Sequence, residues 1–395
     1  MSHTISTLQP LLESQERLDR LIASTFRRLG PRTIDLSYAN PSDGPSEEVL
    51  AILTRATAES KGLSLQYTPI AGRTSPRRAL ASQLTKKFSL LFDYPDIVLT
   101  AGAMPALNIV SRALFGASDE VIVLTPAWQD YPLYLRNLNI PIRLVPLRRD
   151  KHLDLHAINK AIGPATRGML FSQPCCPTGV MYSREEIEQL GDLLISAEAR
   201  FGNPIHLVSD EVHRDVVWSG RAFHSPLQSY SRTISIYSFG KAFAMQGQRI
   251  GYLAMSPLMP DLDDVRTAIE RCARMMGFGH PTSTMQRAII DLVDCQPDVS
   301  ALAHAQETVR RALTAYGYDV CEGDAAFYVY VKSPLADDFR FAELLASRGV
   351  LVVPSTLFHD PGYFRISLTA RPQAIAAALR VFAAALDEVP EALSA

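Results

Sequence analysis

The chain has 395 residues, 47% of them apolar and 20% charged, which is enough to bury a large core and excludes global disorder. Lys and Arg number 39 against 41 Asp and Glu, a formal net charge of -2, which argues against a nucleic-acid or membrane-surface binder. No apolar run reaches the roughly 18 to 20 residues of a membrane helix, and the five cysteines, one adjacent pair and no CxxC, argue against a disulfide framework or a zinc site.

Residues 6 to 28 carry Leu8, Leu11, Leu12, Leu18, Ile22 and Phe26 at near-helical spacing and read as an amphipathic helical arm. The polar segment before Leu36 has no signal pattern, so the expected location is the cytoplasm. A short strand from Ile34 runs into a loop with Pro41, Gly44 and Pro45, and Ser46 with Glu47 and Glu48 starts a helix. From about 97 to 257 short apolar runs alternate with helical stretches. The runs are IVLT (97–100), VIVLT (121–125), GMLFS (168–172), IHLVS (205–209), TISIYS (233–238) and IGYLAM (250–255). Runs without polar alternation suit strands buried on both faces. The alternation predicts an α/β domain with a mainly parallel sheet flanked by helices. A long helical region follows at about 261–316. The runs FYVYVK (327–332), VLVVP (350–354) and FRISL (364–368) and a last helix over 372–388 then read as a smaller α+β domain.

Open parallel sheets bind ligands at the carboxyl ends of their strands, so the residues after each run are the candidates. After IVLT come Gly102, Ala103, Met104 and Pro105, a tight turn into a helix start whose free amides can hold a phosphate; a plain strand-to-helix turn reads the same way. Trp128 follows VIVLT, where an indole covers a flat aromatic ligand or simply closes the core rim. QPCCPTG follows GMLFS, and in it Cys176 is open to reading as a nucleophile, a hydrogen-bonding group or a buried thiol. Asp210 follows four apolar residues, a dry place where a carboxylate needs a cationic or hydrogen-bonding partner, or caps a helix. Lys241 lies in the apolar stretch SFGKAFAM after a buried strand, where desolvation favours the neutral amine that builds a Schiff base. Ser238 and Arg249 flank it as phosphate ligands.

Taken together these segments resemble the fold type I pyridoxal-phosphate (PLP) enzymes, class I/II aminotransferases, from IDLSYANP to FRISL and in the family's order. The resemblance implies a large PLP-binding domain over 46–275, a small C-terminal domain over 276–395, and an N-terminal arm and small-domain segment over 1–45. It implies that Lys241 forms the Schiff base and then carries the proton, and that Asp210 pairs with the pyridine nitrogen. Trp128 then covers the ring. Gly102, Ala103 and Met104 form the phosphate turn, which Ser238 and Arg249 complete. Tyr67 reaches the phosphate of a neighbouring subunit, which makes the active enzyme a homodimer. Arg365 grips the substrate α-carboxylate bidentately, with Tyr38 and Ala39 beside the substrate. The expected substrates are an α-amino acid and a keto acid, with no metal.

The chain departs from the family pattern at four points. Cys176 stands where an asparagine donates to the cofactor's phenolic oxygen. His213, in DEVH as in a cystathionine β-lyase-like subgroup, stands where tyrosine is common. Ala39 and Ser355 replace glycines. The departures keep a second expectation open beside transamination: C–S β-elimination, or a specialised biosynthetic PLP reaction, on the same scaffold.

Overall fold

The computed structural model describes residues 3–218 and 220–389. Its centre is a seven-stranded sheet built from β2 (Ile97–Thr100), β3 (Glu120–Thr125), β4 (Ile142–Pro146), β5 (Thr166–Ser172), β6 (His206–Asp210), β7 (Thr233–Ser238) and β8 (Gly251–Met255). Their order across the sheet is β2-β8-β7-β6-β5-β3-β4, and only β8 runs against the rest. The expected architecture is the one observed. The central strands are buried on both faces, because helices cover each side. One such helix, Arg184–Phe201, starts at a capping box between Ser183 and Glu186 and stops at Gly202 in the left-handed region.

The antiparallel β8 places a cation at the sheet's carboxyl edge. Thr100 and Ser238 both pair with Gly251, so the chain enters β8 at the edge where β2 and β7 leave the sheet. A Cβ at Gly251 would lie 2.4 Å from the Tyr237 carbonyl oxygen and 3.1 Å from the Gly102 Cα. Only glycine permits that approach, and it brings Arg249 to the carboxyl edge of the parallel strands.

The second body has a three-stranded antiparallel sheet, ordered β11-β12-β9, from β9 (Tyr328–Lys332), β11 (Val353–Pro354) and β12 (Tyr363–Ser367). A parallel pair, β1 (Ile34–Asp35) with β10 (Val350–Leu351), sits beside it. Phe341, Phe364 and Phe382, from two helices and β12, share its core. The N-terminal helix, His3–Leu29, packs onto this body. Leu18 is buried with Tyr330, Phe339, Val353 and Phe358, and Arg28 donates to the carbonyls of Ala346 and Ser347.

Three expectations change. β4 was not expected: it is an edge strand whose residues are mostly exposed, so its sequence lacks the continuous apolar run. The run VLVVP divides between two sheets at Val352. The region 261–316 is three helices, Leu262–Met276, Ser283–Leu292 and Ser300–Tyr316, the first ended by Gly277 at φ +69°. The middle one buries Met285, Ile289 and Leu292 against Val49, Ile52 and Leu80, in the core of the large body.

Candidate active site

A cavity of about 340 Å³ opens at the carboxyl edge of the large sheet, within the size range of small-molecule sites. Its floor follows from the topology. Asp210 ends β6, Ser238 ends β7, and Lys241 lies one turn further, in the short helix Phe239–Ala242. Trp128 comes from the loop after β3 and Cys176 from the loop after β5; both face the same space.

Asp210 is 5% exposed. Burial pushes its carboxyl up to about 6, against hydrogen bonds from the Tyr131 hydroxyl (2.6 Å) and the Val212 amide (3.2 Å) that pull it down. Burial holds the Lys241 ammonium below its ordinary range, and the described residues give it no hydrogen bond or ion pair. Asp210 and Lys241 thus share the cavity without pairing to one another.

His213 is 2% exposed and neither ring nitrogen has a partner. Burial, reinforced by the charges of Lys241 and Arg365, pushes its pKa well down, so the imidazole is neutral. Burial raises the Cys176 thiol to about 11, so it carries its proton. Two hydrogen-bonding side chains therefore meet the cavity in their uncharged forms, at two of the four positions where the sequence departs from the family pattern.

Gly102, at φ +89°, caps the helix Ala103–Leu114. A Cβ there would lie 2.8 Å from Arg249 Nη2. The helix start, the Arg249 guanidinium and the Ser238 hydroxyl form a positive cradle, which suits an anion.

Arg365 comes from the other body, on β12 opposite Tyr330. Its Nη2 donates to the Ser37 carbonyl (2.9 Å), its Nε has no partner, and its guanidinium lies 4.4 Å over the Tyr328 ring. Tyr38 and Ala39 line the same wall. The Ala39 carbonyl accepts from Gln246 Nε2 at 3.3 Å, a bond that ties the two bodies together beside the cavity.

The chain matches the family model of aminotransferase class I and II over residues 31–382. It belongs to that family. It is 30% identical over 375 residues to the aspartate/prephenate aminotransferase of Thermus thermophilus, which covers 92% of this chain and 94% of that protein. Among solved structures it superposes on an aminotransferase from Eubacterium rectale with a TM-score of 0.90 at 27% identity, covering 94% of this chain and 95% of that one. The aspartate aminotransferase of Thermotoga maritima superposes with a TM-score of 0.87 at 25% identity, over 98% of this chain and all of that one. The chain is a class I/II aminotransferase and hence a transferase, with the fold of the PLP enzymes of fold type I.

Of the fourteen residues that this aminotransferase's sequence assigned to cofactor or substrate, thirteen lie in or against one cavity and Tyr67 does not; Ser355 is outside the lining, its hydroxyl donating to Asp338 Oδ2 and the Asp360 carbonyl. Tyr67 is fully exposed, at a second cleft with Leu65, Thr68 and His280. Sequence reasoning missed Tyr131, buried one turn beyond Trp128, whose hydroxyl is the side-chain donor to Asp210. The signal was the spacing in PAWQDY. It also missed that Gln15, Leu18, Asp19 and Ile22 of the N-terminal helix line the cavity. Their i, i+4 spacing shows an amphipathic face, but not what that face covers.

Proposed function

We propose that this aminotransferase holds PLP at Lys241 and moves the amino group of an α-amino acid to a keto acid. The observation that carries the reading is the buried Asp210 and the half-buried Lys241, unpaired with one another and facing one cavity with the Gly102–Arg249 cradle. The residues fit the cofactor group by group. Asp210, a carboxylate in a dry place with Tyr131 as its side-chain donor, would hold a protonated ring nitrogen. Gly102, Ala103, Met104, Ser238 and Arg249 would hold the phosphate, and Trp128 would cover the ring. Cys176 and His213 would face the phenolic oxygen as weak, uncharged donors. When bound, PLP supplies an electron sink for the bonds at the amino acid's Cα.

The protein's own part is binding and proton movement. Arg365 presents its guanidinium to the α-carboxylate and fixes which Cα bond faces the lysine. The Lys241 amine, whose charged form burial disfavours, would take the Cα proton and give it back, as a general base and then a general acid. The N-terminal helix and Tyr38 roof the cavity and reduce water access. We further propose a homodimer in which Tyr67, exposed beside Leu63 and Leu65, meets the other subunit's cofactor phosphate.

Borohydride reduction followed by peptide mapping tests the assignment: the label is expected on the peptide holding Lys241, and a label elsewhere or none overturns it. Assay with and without a keto-acid acceptor tests the reaction. Turnover stops without acceptor for a transaminase, whereas pyruvate and ammonia release without acceptor would mark β-elimination.

A further inference from the structure

Three acids lie within six residues in DEVHRD: Asp210, Glu211 and Asp215. The chain turns there after β6, and its side chains divide between the two sides of the cavity floor. Asp210, Val212 and His213 line the cavity. Glu211 and Arg214 point behind it, with side chains 0% and 2% exposed. Acids this close in a dry place are costly unless each has its own partner. The fold divides the partners among them. Lys87 pairs with Asp215. Arg214 Nη1 donates to Glu211 Oε2 at 3.3 Å, and the Ser225 hydroxyl donates to Glu211 Oε1 at 2.6 Å. Asp210 has uncharged donors, the Tyr131 hydroxyl and the Val212 amide.

Arg214 is fixed from the strands beside it. Its Nη2 donates to the Tyr252 hydroxyl of β8, and its guanidinium lies 4.2 Å over the Tyr237 ring of β7 and 5.5 Å from the ring of Phe88. Burial disfavours its charge, but Tyr252, Asp215 and Glu211 outweigh that and hold its pKa above the ordinary range. Its backbone amide donates to the Glu211 carbonyl at 3.0 Å, and the Val216 amide to that of His213 at 2.8 Å, which closes the turn. A cation anchored on two adjacent strands therefore ties down the turn that presents Asp210 and His213. It also answers the Glu211 charge, which adds to burial in raising the Asp210 carboxyl.

We propose that Arg214 is a positioning residue: by neutralising Glu211 and tying the turn to β7 and β8, it keeps the Asp210 carboxylate in place and free for a protonated ring nitrogen. The inference rests on the reading of Asp210 as the partner of that nitrogen. Arg214, Glu211, Tyr237 and Tyr252 are all buried in the large body.

The test is a double-mutant cycle read in PLP affinity, by fluorescence titration of cofactor-free protein with PLP. Arg214→Gln is expected to weaken PLP binding about ten-fold in the wild-type background and less than about three-fold beside Asp210→Asn, within the range of couplings in one charge network. Arg214→Lys keeps the charge and loses the fork, and is expected to recover part of the loss. Tyr252→Phe removes the hydroxyl that Arg214 Nη2 donates to and leaves every charge paired. It is expected to weaken binding about two- to four-fold, again only where Asp210 is present, and it carries the test should Arg214→Gln not fold. A loss of equal size in both backgrounds would mean that Arg214 supports the fold alone and would overturn the proposal, as would unchanged affinity in Arg214→Gln and Tyr252→Phe. Wild-type affinity in Asp210→Asn alone would instead overturn the reading of Asp210 on which the proposal rests.

Discussion

In cofactor-free protein, replacing Asp210 by asparagine should increase stability at neutral pH. Burial moves this carboxyl from its ordinary 3.8 to about 6. Between those values the folded chain keeps a proton that the unfolded chain has released. The contribution of Asp210 is therefore fully present below about pH 4 and is lost as the pH rises through about 6. At about 1.4 kcal/mol per pH unit, the interval is worth about 3 kcal/mol. Asparagine has the same shape, still accepts from Tyr131 and has no charge to desolvate. The stability of Asp210→Asn minus that of wild type should thus grow by about 3 kcal/mol between pH 4 and pH 8. Urea unfolding at a series of pH values measures it. Taking the difference cancels His213, whose lowered pKa gives stability that rises with pH instead. Added PLP should shrink or reverse the difference, because a cation beside Asp210 relieves the carboxylate and not the amide. A difference that stays flat from pH 4 to pH 8, or that is largest in acid, would refute the picture of a carboxylate held in a dry place for a cationic partner.

Arg365→Ala should cost about 2 to 5 kcal/mol in kcat/KM for the amino acid, mostly through KM, and Arg365→Lys should recover part of it. Steady-state kinetics check this, and an unaltered KM places the α-carboxylate elsewhere. Gly102→Ala puts a Cβ 2.8 Å from Arg249 Nη2 at φ +89° and should cost about 1 to 3 kcal/mol of strain. Fluorescence titration should then show weaker PLP binding; equal affinity would move the phosphate cradle away from Gly102. Cys176→Asn replaces a weak donor by a strong one, and a stronger donor to the phenolic oxygen competes for its charge. A pH titration of the visible band should therefore find its pKa lowered, whereas superimposable curves would mean that the thiol never meets the ring. Tyr131→Phe removes the 2.6 Å donor to Asp210 and should raise that carboxyl further, steepening the stability change with pH in the urea series.

The elements legible in the sequence were those whose burial leaves a one-dimensional mark. The six apolar runs between 97 and 255 became strands because a strand covered on both faces must be apolar at every position. The cavity lining was legible for the same reason: in a parallel sheet the residue after each run is at one edge, so Asp210, Ser238 and Lys241 meet without any long-range information. What failed was pairwise. The edge strand Ile142–Pro146 is wet on its open side and carries no continuous run. The helix Ser283–Leu292 shows its apolar stripe, but the stripe does not say that Val49 and Leu80 are what it meets. Ile22 and Asp19 reach the cavity only because the helix start is folded back across the second body, through contacts such as Arg17 with Glu343 at 2.8 Å.

The electrostatic balance of the cavity also narrows what it can hold. Lys241, Arg249 and Arg365 line one cavity with the buried Asp210, and among the described residues no hydrogen bond or ion pair joins any of the three to that carboxylate. Burying charges of one sign is costly without counter-charge. The matching ligand set therefore needs two anionic ends, one at the Gly102–Arg249 cradle and one at Arg365, and a protonated nitrogen at Asp210. An aromatic phosphate with a ring nitrogen, together with an α-amino acid, meets all three requirements at once.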